Sequence, residues 1–182
     1  MNINKLTFIS LTLILFSCDT GDKTRTYRLP KAENKPQIKN NVNQASGFNW
    51  EKPESWIPSS GSSMRLASFS VPYTDGKGDL SVIKLGGEGG GLQSNVNRWR
   101  RQLNLEPLNI NEIEKLIDRI EGKMGFYSLL QIVNENTADA VLCAILPLDN
   151  STIFIKLSID SNKITEVKDD FIYFCSSLNI SN

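Results

Sequence analysis

The sequence predicts an α+β domain in which helices cover a mostly antiparallel sheet. Apolar and polar residues alternate in several segments, most clearly in "TIFIKLSI" at residues 152–159. Apolar residues recur at helical spacing after the glycines near residue 90 and again near the end of the chain, at 162–178. The links between neighbouring strand candidates have the length of hairpins, which favours antiparallel pairing. The predicted order is strands, helices, strands, helix.

The folded domain is expected to span residues 47–182 and to begin with an irregular edge, because prolines interrupt "NWEKPESWIP". Residues 63–71 are the first strand candidate, and 80–85 are the returning strand. The intervening "TDGKGD" predicts a hairpin, since Asp-Gly tolerates the positive φ of tight turns. A calcium loop on Asp75 and Asp79 is the alternative, but it lacks the distal glutamate. We therefore predict no metal site.

The first helix is predicted directly after the glycines. Its apolar stripe consists of Leu92, Val96, Trp99 and Leu103. A second helix is predicted over "NINEIEKLIDRI", residues 109–120, with Asn111 and Glu114 as its capping pair. Its apolar face would hold Ile113, Leu116, Ile117 and Ile120.

The remaining elements are three strands and a closing helix. The strands are predicted at 124–133, 139–148 and 152–159. The helix over 162–178 has an apolar stripe made of Ile164, Val167, Phe171, Phe174 and Leu178. Both helical regions therefore need the sheet to cover an apolar face.

Several segments resemble the PsbP-like fold, whose members include DcrB-type bacterial lipoproteins. They are the Trp-Pro stretch "NWEKPESWIP", then "MRLASF" and "DLSVIKL", and the ending "FIKLSIDSNKITEVKDDFIYFCSSL". More narrowly, "GGLQSNVNRWRRQLNLEPL" with "CAILP" is similar to a group of bacterial lipoproteins and secreted proteins, and "NVNRWR" is its distinctive part. The resemblance covers about residues 48–180. It implies a PsbP-like α+β fold and export from the cytoplasm, and it offers no catalytic residues.

The composition excludes several functions. Basic and acidic residues balance at 20 each, whereas a nucleic-acid-binding protein should have a basic excess. The chain has no histidine, which excludes Ser-His-Asp and Cys-His catalysis and histidine-ligated zinc. We expect a protein that is not an enzyme and has no cofactor. Cys143 and Cys175 lie in apolar runs and could form a disulfide or remain as buried thiols, and the sequence does not decide between these.

The first 46 residues predict export and lipid anchoring. Lys5 is the only charge before Cys18, and the apolar run between them is too short to span a bilayer, as in a signal peptide. The ending "LFSC" resembles a bacterial lipobox, which implies cleavage after residue 17 and acylation of Cys18. Residues 18–46 are polar and predict a tether. The expected location is the cell envelope, with the domain facing the periplasm and the acylated Cys18 inserted in the bilayer.

The glycine-rich segment "GGEGGG", residues 86–91, fails the two common nucleotide-binding signatures. Leu92-Gln93 stands where a P-loop has Lys followed by Ser or Thr, and Leu92 replaces the last glycine of the dinucleotide fingerprint. Two interpretations remain open. The glycines could form a strand-to-helix joint with positive φ, or their N–H groups could bind an anion at the helix start.

A row of polar residues on the first helix is the best candidate for recognition. With the apolar stripe buried, Asn95, Arg98 and Gln102 should project together into solvent. Arg98 has the planar fork that suits a carboxylate or phosphate, and a salt bridge to the sheet is the alternative. The candidate binding residues are thus Asn95, Arg98, Gln102, Gly89, Gly90 and Gly91. The expected function is a membrane-anchored accessory module that binds an envelope protein; the alternative is a module that binds a small anion.

Overall fold

The computed structural model describes residues 47–181 of the chain. The predicted signal peptide, the predicted lipidation site Cys18 and the predicted polar tether lie outside these residues. The strands are β1 (Phe48–Asn49), β2 (Ile57–Pro58), β3 (Arg65–Tyr73), β4 (Gly76–Gly86), β5 (Asp118–Gly122), β6 (Gly125–Asn134), β7 (Asp139–Leu148), β8 (Ser151–Asp160) and β9 (Asn179–Ile180). The helices are α1 (Leu92–Gln102), α2 (Ile110–Glu114) and α3 (Ile164–Ser177), and a short 3₁₀ turn precedes α3.

Seven strands form one antiparallel sheet in the order β2-β3-β4-β8-β7-β6-β5. The two terminal strands β1 and β9 pair with each other in a separate antiparallel ribbon. Hairpins join β3 to β4, β6 to β7 and β7 to β8, as their sequence links predict. The predicted α+β class with a mostly antiparallel sheet and covering helices is confirmed.

The sheet is covered on both faces, because successive side chains of a strand point to opposite sides. On β7, Leu142 and Ala144 belong to a core that also contains the apolar stripe of α3. Val141 and Cys143 belong to a second core, which contains residues of α1 and α2. The domain therefore has three layers, with α3 on one face of the sheet and α1 with α2 on the other.

The two cysteines within residues 47–181 are unpaired. Cys143 lies in the core beneath α1, whereas Cys175 lies in the core beneath α3. Both thiols are buried, and burial raises the pKa of each above its ordinary value. They act as small apolar side chains in the two cores.

The stripes of α1 and α3 were predicted well. In α1, Val96 and Trp99 are buried, and Leu103 packs directly after the helix. All five predicted stripe residues of the last helix are buried: Ile164, Val167, Phe171, Phe174 and Leu178.

The predicted second helix is wrong in its second half. The helix ends at Glu114, and Asp118–Gly122 form the edge strand β5, paired with β6. Its capping box consists of Asn109 and Glu112, rather than the predicted Asn111 and Glu114, because the helix begins earlier. Ile113 is buried, but Leu116 is 45% exposed. The side-chain spacing of residues 118–120 fits a helix, but backbone pairing with β6 makes them part of a strand.

Candidate functional site

A pocket of about 250 Å³ opens between α1 and the strands β3, β4 and β8. Helices α1 and α2 cover the β6–β7 half of this sheet face, and the pocket lies where that cover ends. Its polar lining residues are Arg65, Ser81, Arg98, Gln102 and Lys156. Its apolar lining residues are Met64, Ile83, Leu85, Trp99 and Phe154.

Strand register brings the sheet residues of the pocket together. Ser81 of β4 lies opposite Lys156 of β8, which lies opposite Cys143 of β7, so the three share one row on the same face. In the neighbouring row, Ile83 lies opposite Phe154. Helix α1 runs above these rows and contributes its residues 98, 99 and 102 from a single turn.

Three basic side chains line the pocket, and only one of them has a carboxylate partner within residues 47–181. Arg65 donates two hydrogen bonds to the carboxylate of Asp79, over 3.3 and 3.2 Å. Neither Arg98 nor Lys156 forms an ion pair within the described part of the chain. The pocket therefore has a surplus of positive charge.

Lys156 is held in place by a neutral partner. Its Nζ donates a hydrogen bond of 3.1 Å to Oε1 of Gln102 on α1. Burial lowers the pKa of Lys156 below its ordinary value, and the positive charges of Arg65 and Arg98 lower it further. The negative charge of Asp79 acts in the opposite direction.

Asn95 lies beneath Arg98 rather than beside it in solvent. The prediction that Asn95 is exposed is wrong, since the residue is 3% exposed. Its Nδ2 donates to the carbonyl oxygens of Gly89 and Gly91, over 2.9 and 2.8 Å. Its Oδ1 accepts a hydrogen bond of 2.8 Å from Nη2 of Arg98. The other two residues of the predicted row, Arg98 and Gln102, are exposed and line the pocket, whereas Asn95 does not line it.

The glycine loop is a tight joint between β4 and α1. Gly87, Gly89, Gly90 and Gly91 all have positive φ, between 56° and 93°. A Cβ on Gly89 would lie 2.5 Å from Cε2 of Phe154, so the loop packs closely on the sheet. The N–H groups of Gly87, Gly89 and Gly91 each donate to a backbone carbonyl. The predicted residues Gly89, Gly90 and Gly91 lie outside the lining of the Arg98 pocket.

Two further residues of the pocket, Lys156 and Arg65, were not among the candidates nominated from the sequence. Lys156 is the one charged residue within the alternating segment "TIFIKLSI", and a lysine on a sheet face buried by a helix needs a reason. That signal was available. The position of Arg65 opposite Ile83 follows from the register of β3 and β4, which the sequence does not give.

Between residues 47 and 181, no group of three or more Cys, Asp or Glu side chains could hold a metal ion. In the same range, no helix is long and apolar enough to cross a membrane.

No family model and no curated protein matches the chain. Solved structures that match the chain include a crystal structure from Bacteroides thetaiotaomicron, with 12% identity and a TM-score of 0.46 over 78% of this chain. The match covers 47% of that protein, so the present chain spans about half its length. The cyanobacterial PsbP (CyanoP) of Synechocystis matches with 17% identity and a TM-score of 0.48, over 74% of this chain and 87% of its own. LpqN, involved in cell envelope biogenesis of Mycobacterium tuberculosis, matches with 11% identity and a TM-score of 0.40, over 75% of this chain and 86% of its own.

Proposed function

We propose that this protein is a lipid-anchored protein of the cell envelope whose folded domain binds a small anionic ligand. The observation that carries the proposal is the convergence of Arg98 and Lys156 on one pocket, without a carboxylate partner for either among residues 47–181. Two neighbouring positive charges that are partly removed from water repel each other. An anion between them would relieve this repulsion and accept their hydrogen bonds.

The position of Arg98 is fixed before any ligand arrives. Its guanidinium is bonded to the buried amide of Asn95 and lies 6.0 Å from the centroid of the Trp99 ring. Lys156 also donates a hydrogen bond to α1, through the exposed side chain of Gln102. Fixing the binding groups in advance reduces the entropy that binding costs, which supports recognition at this site.

Binding is favoured over catalysis because the hydroxyl of Ser81 and the thiol of Cys143 are not available as nucleophiles. Ser81 is 3% exposed and its Oγ donates to the backbone carbonyl of Lys156 over 3.5 Å, so the hydroxyl is not directed into the pocket for attack. Cys143 is fully buried, and burial keeps its pKa far above neutrality. We therefore propose a module that is not an enzyme.

The anchoring part of the proposal depends on the sequence. The segment "LFSC" resembles a lipobox, and the polar stretch of residues 18–46 would connect the acylated Cys18 to the domain. A relation to DcrB-type lipoproteins, which the segments "NWEKPESWIP", "MRLASF" and "DLSVIKL" of the folded domain resemble, supports the same proposal. Labelled palmitate should enter the wild-type protein and not the Cys18→Ala variant. Equal labelling of both, or none of either, would refute the anchor.

The binding proposal can be tested by calorimetric titration of a chain that begins at residue 18 and has Cys18 replaced by Ala. Acetate, benzoate and inorganic phosphate are the probe anions. Arg98→Gln should weaken binding about tenfold, because a charge-assisted hydrogen bond is lost. Arg101→Gln is the matched control, since Arg101 is an exposed arginine of the same helix, and it should change affinity less than about twofold. Absence of binding for every anion, or equal affinity in both variants, would refute the proposal.

A second candidate is a protein partner that inserts an acidic side chain into the same pocket. Met64 lines the pocket and is 68% exposed, and Ile57 on the edge strand β2 is 61% exposed. Register places Ile57 opposite Ser70, which lies opposite Asp79, so Ile57 shares the sheet face of the pocket. Crosslinking from position 64 in cells should capture one envelope protein reproducibly, and Arg98→Gln should abolish the product. A product that survives Arg98→Gln would argue against this candidate.

A further inference from the structure

The pocket also restricts what kind of anion can fill it. Resting on the proposed function, we infer that the ligand is a small organic monocarboxylate with one ring or a branched apolar body of similar size. Three properties of the pocket lead to this class: its volume, its apolar wall and the balance of its charges.

The volume limits the ligand to about one ring and its acid group. The pocket measures about 250 Å³. An engineered apolar cavity of about 150 Å³ binds benzene, and pockets for drug-sized molecules begin at about 300 Å³. A benzoate-sized acid fits between these limits. A nucleotide or a long acyl chain would extend far into solvent.

The apolar wall gives the body of the ligand a surface to contact. Trp99 and Phe154 are buried and pack edge to face, with ring centroids 6.1 Å apart. Ile83 and Leu85 of β4 extend this wall and are half-buried. Met64 is 68% exposed and Ile83 and Leu85 are half-buried, so an inorganic anion would leave these side chains in contact with water, whereas an apolar body would cover them.

The charges favour one carboxylate over a dianion. Of the three cations that line the pocket, Arg98 and Lys156 have no carboxylate partner among residues 47–181, while Arg65 is neutralised by Asp79. Asp79 lies close enough to Lys156 to act on its charge, so it would repel a second negative charge placed there. Because Arg98 also lies over the Trp99 ring, the acid group and the apolar body would be adjacent.

The test compares anions that differ in one property, using the chain from residue 18 with Cys18→Ala. By calorimetry, benzoate should bind at least about tenfold more tightly than acetate, since each buried CH₂-sized group adds about 0.8 kcal/mol. Inorganic phosphate should bind more weakly than benzoate. Ile83→Ser should weaken benzoate binding about fivefold and leave acetate unchanged. Leu116→Ser is the control, because this exposed leucine lies outside the pocket lining.

The outcomes separate this inference from the function on which it rests. If acetate, benzoate and phosphate bind equally and Arg98→Gln weakens all three, the anion site stands and the inferred ligand class is wrong. If dodecanoate or anionic phospholipid vesicles bind more tightly than benzoate, the size limit is wrong. If no anion binds, the proposed function itself fails.

Discussion

Nη2 of Arg98 donates a hydrogen bond of 2.8 Å to Oδ1 of Asn95, and Asn95 lies about one turn before Arg98 on α1. The orientation of the Asn95 amide is fixed, because its Nδ2 donates hydrogen bonds to the carbonyl oxygens of Gly89 and Gly91. One buried side chain thus connects the glycine loop to the arginine of the pocket. The loop contributes to the site indirectly, by fixing the residue that fixes Arg98.

Replacing Asn95 should therefore affect both stability and binding. Asn95→Ala removes two donors from the carbonyl oxygens of Gly89 and Gly91 and the acceptor of Arg98, and it should lower the free energy of unfolding by about 1–3 kcal/mol. Ser94→Ala, at an exposed neighbouring position, should change it by less than about 0.5 kcal/mol. Urea denaturation of the two variants and the wild type measures the difference. Equal stability of the two variants would contradict the assigned role of Asn95.

Anion binding should depend on pH through Lys156. Titratable groups face it from every neighbouring element: the charged Arg98 on α1, Arg65 on β3 and Asp79 on β4, and the neutral thiol of Cys143 on β7. Burial lowers the pKa of Lys156, so the side chain loses its charge at a lower pH than an ordinary lysine. Affinity for benzoate should fall as the pH rises through this lowered pKa. Lys156→Arg should remain charged and retain its affinity over the same range, as measured by titration between about pH 7 and 10.

The lowered pKa of Lys156 should also make the stability of the ligand-free protein depend on pH. Between the lowered pKa of Lys156 and the ordinary lysine value, the unfolded chain binds more protons than the folded chain. The contribution of this group to stability therefore rises as the pH rises through that interval. Urea denaturation should show this rise in the wild type and not in Lys156→Met. An affinity for benzoate that is independent of pH in the wild type would refute the role of Lys156 in binding.

Periodic segments of the chain were predictable because a single face of each had to be buried. The stripes of α1 and α3 are examples, since their spacing allows only one orientation against the sheet. Residues 118–120 were not predictable in this way, because their side-chain spacing fits a helix while their backbone pairs with β6. Arg98 could be nominated from its place on the helix. That Lys156 lines the same pocket as Arg98 could not be predicted, because it depends on how α1 lies across the strands.

The glycine loop should tolerate substitutions unequally. Gly87 has φ 56°, and the space that a Cβ would occupy is open. Gly87→Ala should therefore lower the free energy of unfolding only by the strain of left-handed backbone, about 1 kcal/mol. Gly89 has φ 61°, and its Cβ would collide with the ring of Phe154. Gly89→Ala should therefore cost about 1–3 kcal/mol more than Gly87→Ala, because the core must move to admit the methyl group. Thermal or urea denaturation of both variants gives the comparison. Equal costs would mean that the loop does not pack on Phe154.

Trp99 should be the residue of α1 on which stability depends most. It is 3% exposed, packs edge to face with Phe154 and belongs to the core that attaches α1 to the sheet. Trp99→Ala should lower the free energy of unfolding by about 3–5 kcal/mol, through lost apolar contact and the cavity that remains. Phe126→Ala is the control for removing a large ring, since Phe126 is 49% exposed on β6 and should cost much less. Because Trp99 also forms the pocket wall, Trp99→Phe should keep the fold while weakening benzoate more than acetate. An unfolding free energy unchanged by Trp99→Ala would contradict both the packing of α1 and the wall of the pocket.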